Sequence, residues 1–81
     1  MNSVERLEAL IEEGGADAAE QARALLEHVK GGSRLAFDAV EEFVIELTTL
    51  AFVIEAGLEA FHEAARRRAR VRLSRLKLLL A

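Results

Sequence analysis

Glu59-Ala60-Phe61-His62 is the stretch of this 81-residue sequence whose spacing most resembles a reaction centre. On a helix, Glu-x-x-His sets a carboxylate and an imidazole on one face, the donor pair of di-iron carboxylate bundles. Glu27, Glu46 or Glu55 would have to add oxygen ligands, and a complete site needs two such helices and two more carboxylates converging in one core. The simpler expectation is that Glu59 and His62 are solvated residues beside an apolar stripe, so that no metal or cofactor is bound. His28, next to Glu27, suits the C-terminal end of a helix, where a cation meets the dipole. Ser3, Ser33 and Ser74 have no histidine near them, and no glycine-rich phosphate loop is present, so nucleophilic catalysis has no footing. The chain is not expected to be an enzyme.

The other chemically marked segment is basic. Residues 66–81 hold Arg66, Arg67, Arg68, Arg70, Arg72, Arg75 and Lys77 and no acid, a net of +7, whereas residues 1–65 hold all 14 acids against four bases, a net of −10. Such segregation calls for a counterpart to the basic end: acids of another subunit, nucleic acid or an anionic surface. No aromatic interleaves with the arginines, which leaves base stacking unsupported. Pairing between subunits is the favoured expectation, and nucleic-acid or membrane-surface binding by the Arg66–Lys77 stripe is the alternative.

The elements that position these residues read as helices. Gly14-Gly15 and Gly31-Gly32 fit helix C-termini, with Asp17 and Ser33 as N-caps of the helices that follow and Ser3 as that of the first. Periodicity predicts one helix over about 4–13, with Val4, Leu7, Leu10 and Ile11 on one face. It predicts a second over about 17–30, with Ala18, Ala22, Leu25, Leu26 and Val29. After Ser33 the stripe Ala36, Val40, Val44, Leu47, Ala51, Ile54, Leu58, Phe61, Ala65, Ala69, Leu73, Leu76 and Leu80 advances by three or four residues at every step. Proline is absent, and a lone glycine, Gly57, costs a helix only about 1 kcal/mol. The expectation is one long helix over about 34–80; its main rival is a break at Gly57, after which the second half folds back on the first and each chain forms its own four-helix bundle. Residues 43–54 are rich in β-branched and aromatic side chains and 68–74 alternate with period two, but both keep the helical stripe. Residues 43–54, apolar almost all round, should be buried on several sides.

The expected fold class is therefore all-α: a single domain in which a short two-helix hairpin is followed by one long helix, with bundles completed by oligomerisation. A 34–80 helix would be roughly 70 Å long, and helices 1 and 2 only about 15–20 Å each. The hairpin covers about 34–50, leaving Ile54, Gly57, Leu58, Phe61, Ala65, Ala69, Leu73, Leu76 and Leu80 as an oligomer interface. An antiparallel dimer with its twofold axis near Ile54 to Gly57 would bring Glu41 and Glu42 beside Arg66 and Arg67 of the second copy. There the two His62 would stand roughly 20 Å apart. The expected partner is thus the chain itself. No targeting signal or membrane span is expected, and nothing assigns a compartment beyond the cytoplasm of an expressing bacterium.

Helices joined by Gly-Gly-Ser and Gly-Gly-Ala-Asp loops, heavy use of Ala, Leu, Glu and Arg, and the absence of Cys, Trp and Pro together resemble de novo designed helical assemblies. The resemblance implies that assembly itself is the function.

Overall fold

Gly57 decides the architecture. In the computed structural model, which describes residues 3–27 and 33–80, it has φ of +73°, the left-handed conformation that ends helices. The Leu58 amide donates to the Val53 carbonyl at 2.9 Å and the Gly57 amide to the Ile54 carbonyl at 3.1 Å. These are the two bonds of a Schellman motif, and Val53 and Leu58 supply its usual apolar contact by lining one groove. The helix expected over 34–80 is therefore two helices. The first is α3 (Arg34–Glu55). After the turn and a single 3-10 turn, Glu59–Phe61, α4 (His62–Leu80) runs back along it. The sequence-based expectation set a propensity cost of about 1 kcal/mol against an unbroken stripe, whereas the competing term was a complete C-terminal cap plus the burial of α4 on its own chain.

The shorter helices are α1 (Ser3–Glu13) and α2 (Gly15–Leu26). Gly14, at φ +67°, closes α1 with its amide on the Leu10 carbonyl at 2.9 Å. There is no room for a loop between them, so α2 begins at Gly15, and Asp17 lies in its first turn rather than capping it. Its carboxylate there suits the N-terminal dipole. Ser3 is already helical. Ser33 does cap α3, its hydroxyl accepting from the Ala36 amide at 3.1 Å. The expected end of the second helix at Lys30, the Gly31-Gly32 loop and His28 lie outside the described residues.

The β-rich segment 43–54 is helical because its stripe of Phe43, Leu47, Leu50 and Val53 is buried in the core, which overrides local propensity. The Thr48 and Thr49 hydroxyls donate back to the carbonyls of Val44 and Ile45 at 2.9 and 3.1 Å, which satisfies each hydroxyl without a sheet. Ser74 does the same on Arg70 within the period-two segment.

Helix α1 lies against α4 and α2 against α3, closing a four-helix bundle of 37 × 20 × 17 Å. Its core is Leu7, Leu10 and Ile11; Ala18, Ala22 and Leu26; Val40, Phe43, Leu47 and Leu50; and Ala65, Ala69, Leu73 and Leu76. Burying each leucine contributes about 1.5–3 kcal/mol. One chain thus supplies four walls. Ala65, Ala69, Leu73 and Leu76, expected to face a second copy, are covered within their own chain. No described helix is long and apolar enough to cross a membrane.

Candidate interaction face

Five of the seven bases of the C-terminal segment pair with the chain's own acids. Across the α3–α4 seam, Arg68 Nε meets Glu46 Oε2 at 2.9 Å, and Arg72 and Arg75 share Glu42 Oε2 at 3.1 and 3.4 Å. Across the α1–α4 seam, Lys77 meets Glu8 at 2.6 Å, and Arg70 bridges Glu12 at 2.6 Å and Glu63 at 3.0 Å. Arg66 donates to the carbonyls of Ile11 and Glu12 at 3.3 and 3.2 Å, a cation on the C-terminal dipole of α1. Arg70 lowers the Glu12 carboxyl through its hydrogen bond and charge, and is itself raised by Glu12 and Glu63. The hydrogen bond that Arg68 donates to Glu46 raises Arg68.

The opposition of acidic and basic halves inferred from sequence is therefore present within one chain. The pairs expected between copies, Glu41 and Glu42 with Arg66 and Arg67, are not those formed. Glu42 takes Arg72 and Arg75, Arg66 caps α1, and Arg67 forms no ion pair among the described residues. The reason is geometric. An axis near residue 54 pairs 42 with 66, whereas a fold about Gly57 pairs 42 with 72 and 46 with 68. Glu46 was not foreseen as a partner, and it is the buried one, its side chain 8 % exposed.

The Glu59–His62 pair spans a junction, Glu59 opening the 3-10 turn and His62 beginning α4. His62 Nε2 is buried without a hydrogen-bond partner among the described residues. Among the described residues no three His, Cys, Asp or Glu side chains gather where an ion would sit. Glu59 and Glu55 are exposed, and Glu46 is occupied by Arg68. The α1–α4 seam holds an open groove of about 500 Å³ lined by Glu5, Glu8, Glu12, Arg70, Ser74 and Lys77. Its Glu8, Glu12, Arg70 and Lys77 are already joined in ion pairs.

The exposed large apolar side chains other than Phe37 are concentrated about the α3–α4 seam. On α3, Leu35, Asp38, Glu42, Ile45, Thr49 and Phe52 follow one another at steps of three and four. On the other side of the seam the same spacing runs through Phe61, Ala64, Arg68, Val71, Arg75 and Leu78. Three shallow grooves of about 410, 320 and 360 Å³ lie end to end between these strips. Leu35, Leu78 and Leu79 line the first, Val71 the second, Leu58 and Phe61 the third. Leu35, Ile45, Phe52, Phe61, Val71 and Leu78 are 64, 60, 65, 58, 59 and 80 % exposed. Leu58 and Phe61, named in the sequence-based interface, belong to this face. Ile54 packs partly buried against the core and the Gly57 turn is exposed, while nothing is described of the Leu80 side chain. Ile45, Phe52 and Val71 were missed. Their signal was a second stripe, offset from the core stripe and interrupted by Asp38, Glu42, Arg68 and Arg75.

No protein-family model, characterised protein or solved structure matches this chain.

Proposed function

We propose that this chain is a structural, self-associating helical module without catalytic activity, and that the α3–α4 face is its contact surface. The observation that carries the reading is the placement of the exposed large apolar residues. Phe52 and Phe61 are among only four phenylalanines in the chain, and both stand more than half exposed on one face with Leu35, Ile45, Val71 and Leu78. Scattered apolar residues on a surface need no explanation, but a contiguous patch rimmed by charge is the usual mark of an interaction site. The basic segment argues less for nucleic acid than its sequence does, because Arg68, Arg70, Arg72 and Arg75 are engaged by Glu12, Glu42, Glu46 and Glu63. Light scattering tests the reading. A dimer or larger particle that Phe52→Glu dissociates, with helicity unchanged, supports it. A wild-type monomer at high micromolar concentration defeats it.

A further inference from the structure

We infer that two copies pair face to face with the twofold axis parallel to α3 and α4 and midway between them, so that α3 of each copy lies antiparallel across α4 of the other. The inference rests on the self-association reading and adds the arrangement. A twofold contact presents the same patch from both sides, so the face must complement itself under the rotation. The two strips are differently charged: Asp38 and Glu42 on α3, Arg68 and Arg75 on α4. The α3–α4 hairpin is folded about Gly57, so residues whose numbers are symmetric about 57 stand at equal heights, as Glu46 and Arg68 do. A twofold parallel to the helices keeps those heights. It sets Leu35 on Leu78 of the second copy, Asp38 on Arg75, Ile45 near Val71, and Phe52 on Phe61. Apolar meets apolar at both ends and Asp38 meets Arg75, while in the middle Glu42 stands level with Val71 and Ile45 with Arg68.

The other in-plane twofold, perpendicular to the helices, lays α3 on α3 and α4 on α4. The Leu35 end then meets the Phe52 end, and each strip faces its own copy, so that Glu42 and Arg68 each come within about one helical turn of their mates. That proximity of like charges disfavours the arrangement, while each exposed opposite pair in the first contributes only about 0–1 kcal/mol. Apolar burial drives the association, and charge selects between the two axes. The size is sufficient: a side of the bundle, 37 Å long and 17–20 Å wide, covers about 700 Å² in projection, against roughly 800 Å² per partner in a standard stable interface.

Spin labels test the arrangement, and the absence of cysteine makes Arg34→Cys and Glu55→Cys unique attachment points. Both positions are exposed and outside the strips. They lie about 30 Å apart along α3 at 1.5 Å per residue. With the axis parallel to the helices, each label has its symmetry mate only a diagonal of neighbouring helices away, about 15–20 Å in both variants. With the perpendicular axis both distances exceed about 30 Å, which overturns the arrangement while leaving the self-association intact. A short distance at 55 and a long one at 34 would mean that Gly57 has opened and α4 is exchanged between copies, which overturns it as well. A monomeric mass for the labelled chains overturns the arrangement and the assembly reading together.

Discussion

Gly57→Ala separates the hairpin from a continuous helix by the sign of its effect. At φ +73° an L side chain is strained, but the added Cβ would meet nothing within 4 Å. The cost is therefore the backbone alone, roughly 1–2 kcal/mol for a non-glycine residue in the left-handed region. Alanine also narrows the unfolded ensemble, returning several tenths of a kcal/mol, so the net loss is about 1 kcal/mol. In a straight helix the same replacement would stabilise by about 1 kcal/mol. The two structures thus differ by about 2 kcal/mol for one methyl group. For a domain of this size, 1 kcal/mol shifts Tm by about 4–8 °C. Calorimetry or urea unfolding at matched protein concentration reads the shift, matching being needed because association raises apparent stability. Gly57→Asn, which tolerates the left-handed region better, should fall between wild type and Gly57→Ala. A rise in Tm for Gly57→Ala would refute the turn, and with it the assignment of α4 to its own chain.

Gly14→Ala should cost more than Gly57→Ala, by about 0.5–1.5 kcal/mol, because the new Cβ would push the terminal methyl of Ile54 out of its place. Equal losses in urea unfolding would mean that Ile54 does not seat on the α1–α2 turn. Leu73→Ala, at a core position 2 % exposed, should lower unfolding free energy by about 2–5 kcal/mol without changing the solution mass at low temperature. Dissociation instead would restore Leu73 to an interface between copies. The Arg70 pair makes Glu12 a local acid sensor. Its carboxyl is held below the ordinary 4.5, so the pair contributes fully above that pH and its contribution is lost as pH falls through the lowered value. In Arg70→Met the Glu12 midpoint followed by NMR should rise towards 4.5, and an unchanged midpoint would refute the assigned cause. Arg70 is raised, so its own titration affects stability only in strong alkali.

The helices and most of the core were legible because a strip such as Val40, Leu47, Ala65, Ala69, Leu73 and Leu76 states its period directly. The antiparallel opposition of Glu42 and Glu46 to the arginines was legible in kind, since charge segregation on a helical pattern leaves few other solutions. Its being intramolecular was legible only as the rival to a continuous helix, through the single Gly57. Periodicity is blind to a reversal that keeps phase, and the stripe passes from Ile54 through Leu58 and Phe61 to Ala65 without a missed step although the chain turns back between them. The local sign was apolar Val53, Gly57 and apolar Leu58 at the spacing of a Schellman motif, a pattern weaker than a glycine pair or a proline. The interaction face was hidden for another reason. Ile45, Phe52 and Val71 look like additional core in a segment that is apolar almost all round, and only the placement of α1 and α2 shows which side they leave uncovered.

The mass in solution, measured by light scattering for wild type and Phe52→Glu over a range of concentrations, tests the central claim most directly. Wild type should weigh twice the 8.9 kDa of one chain and the variant the single-chain mass, with the same helical signal in both. A wild-type protein that stays at 8.9 kDa throughout, or a variant that keeps the dimer mass, would contradict it.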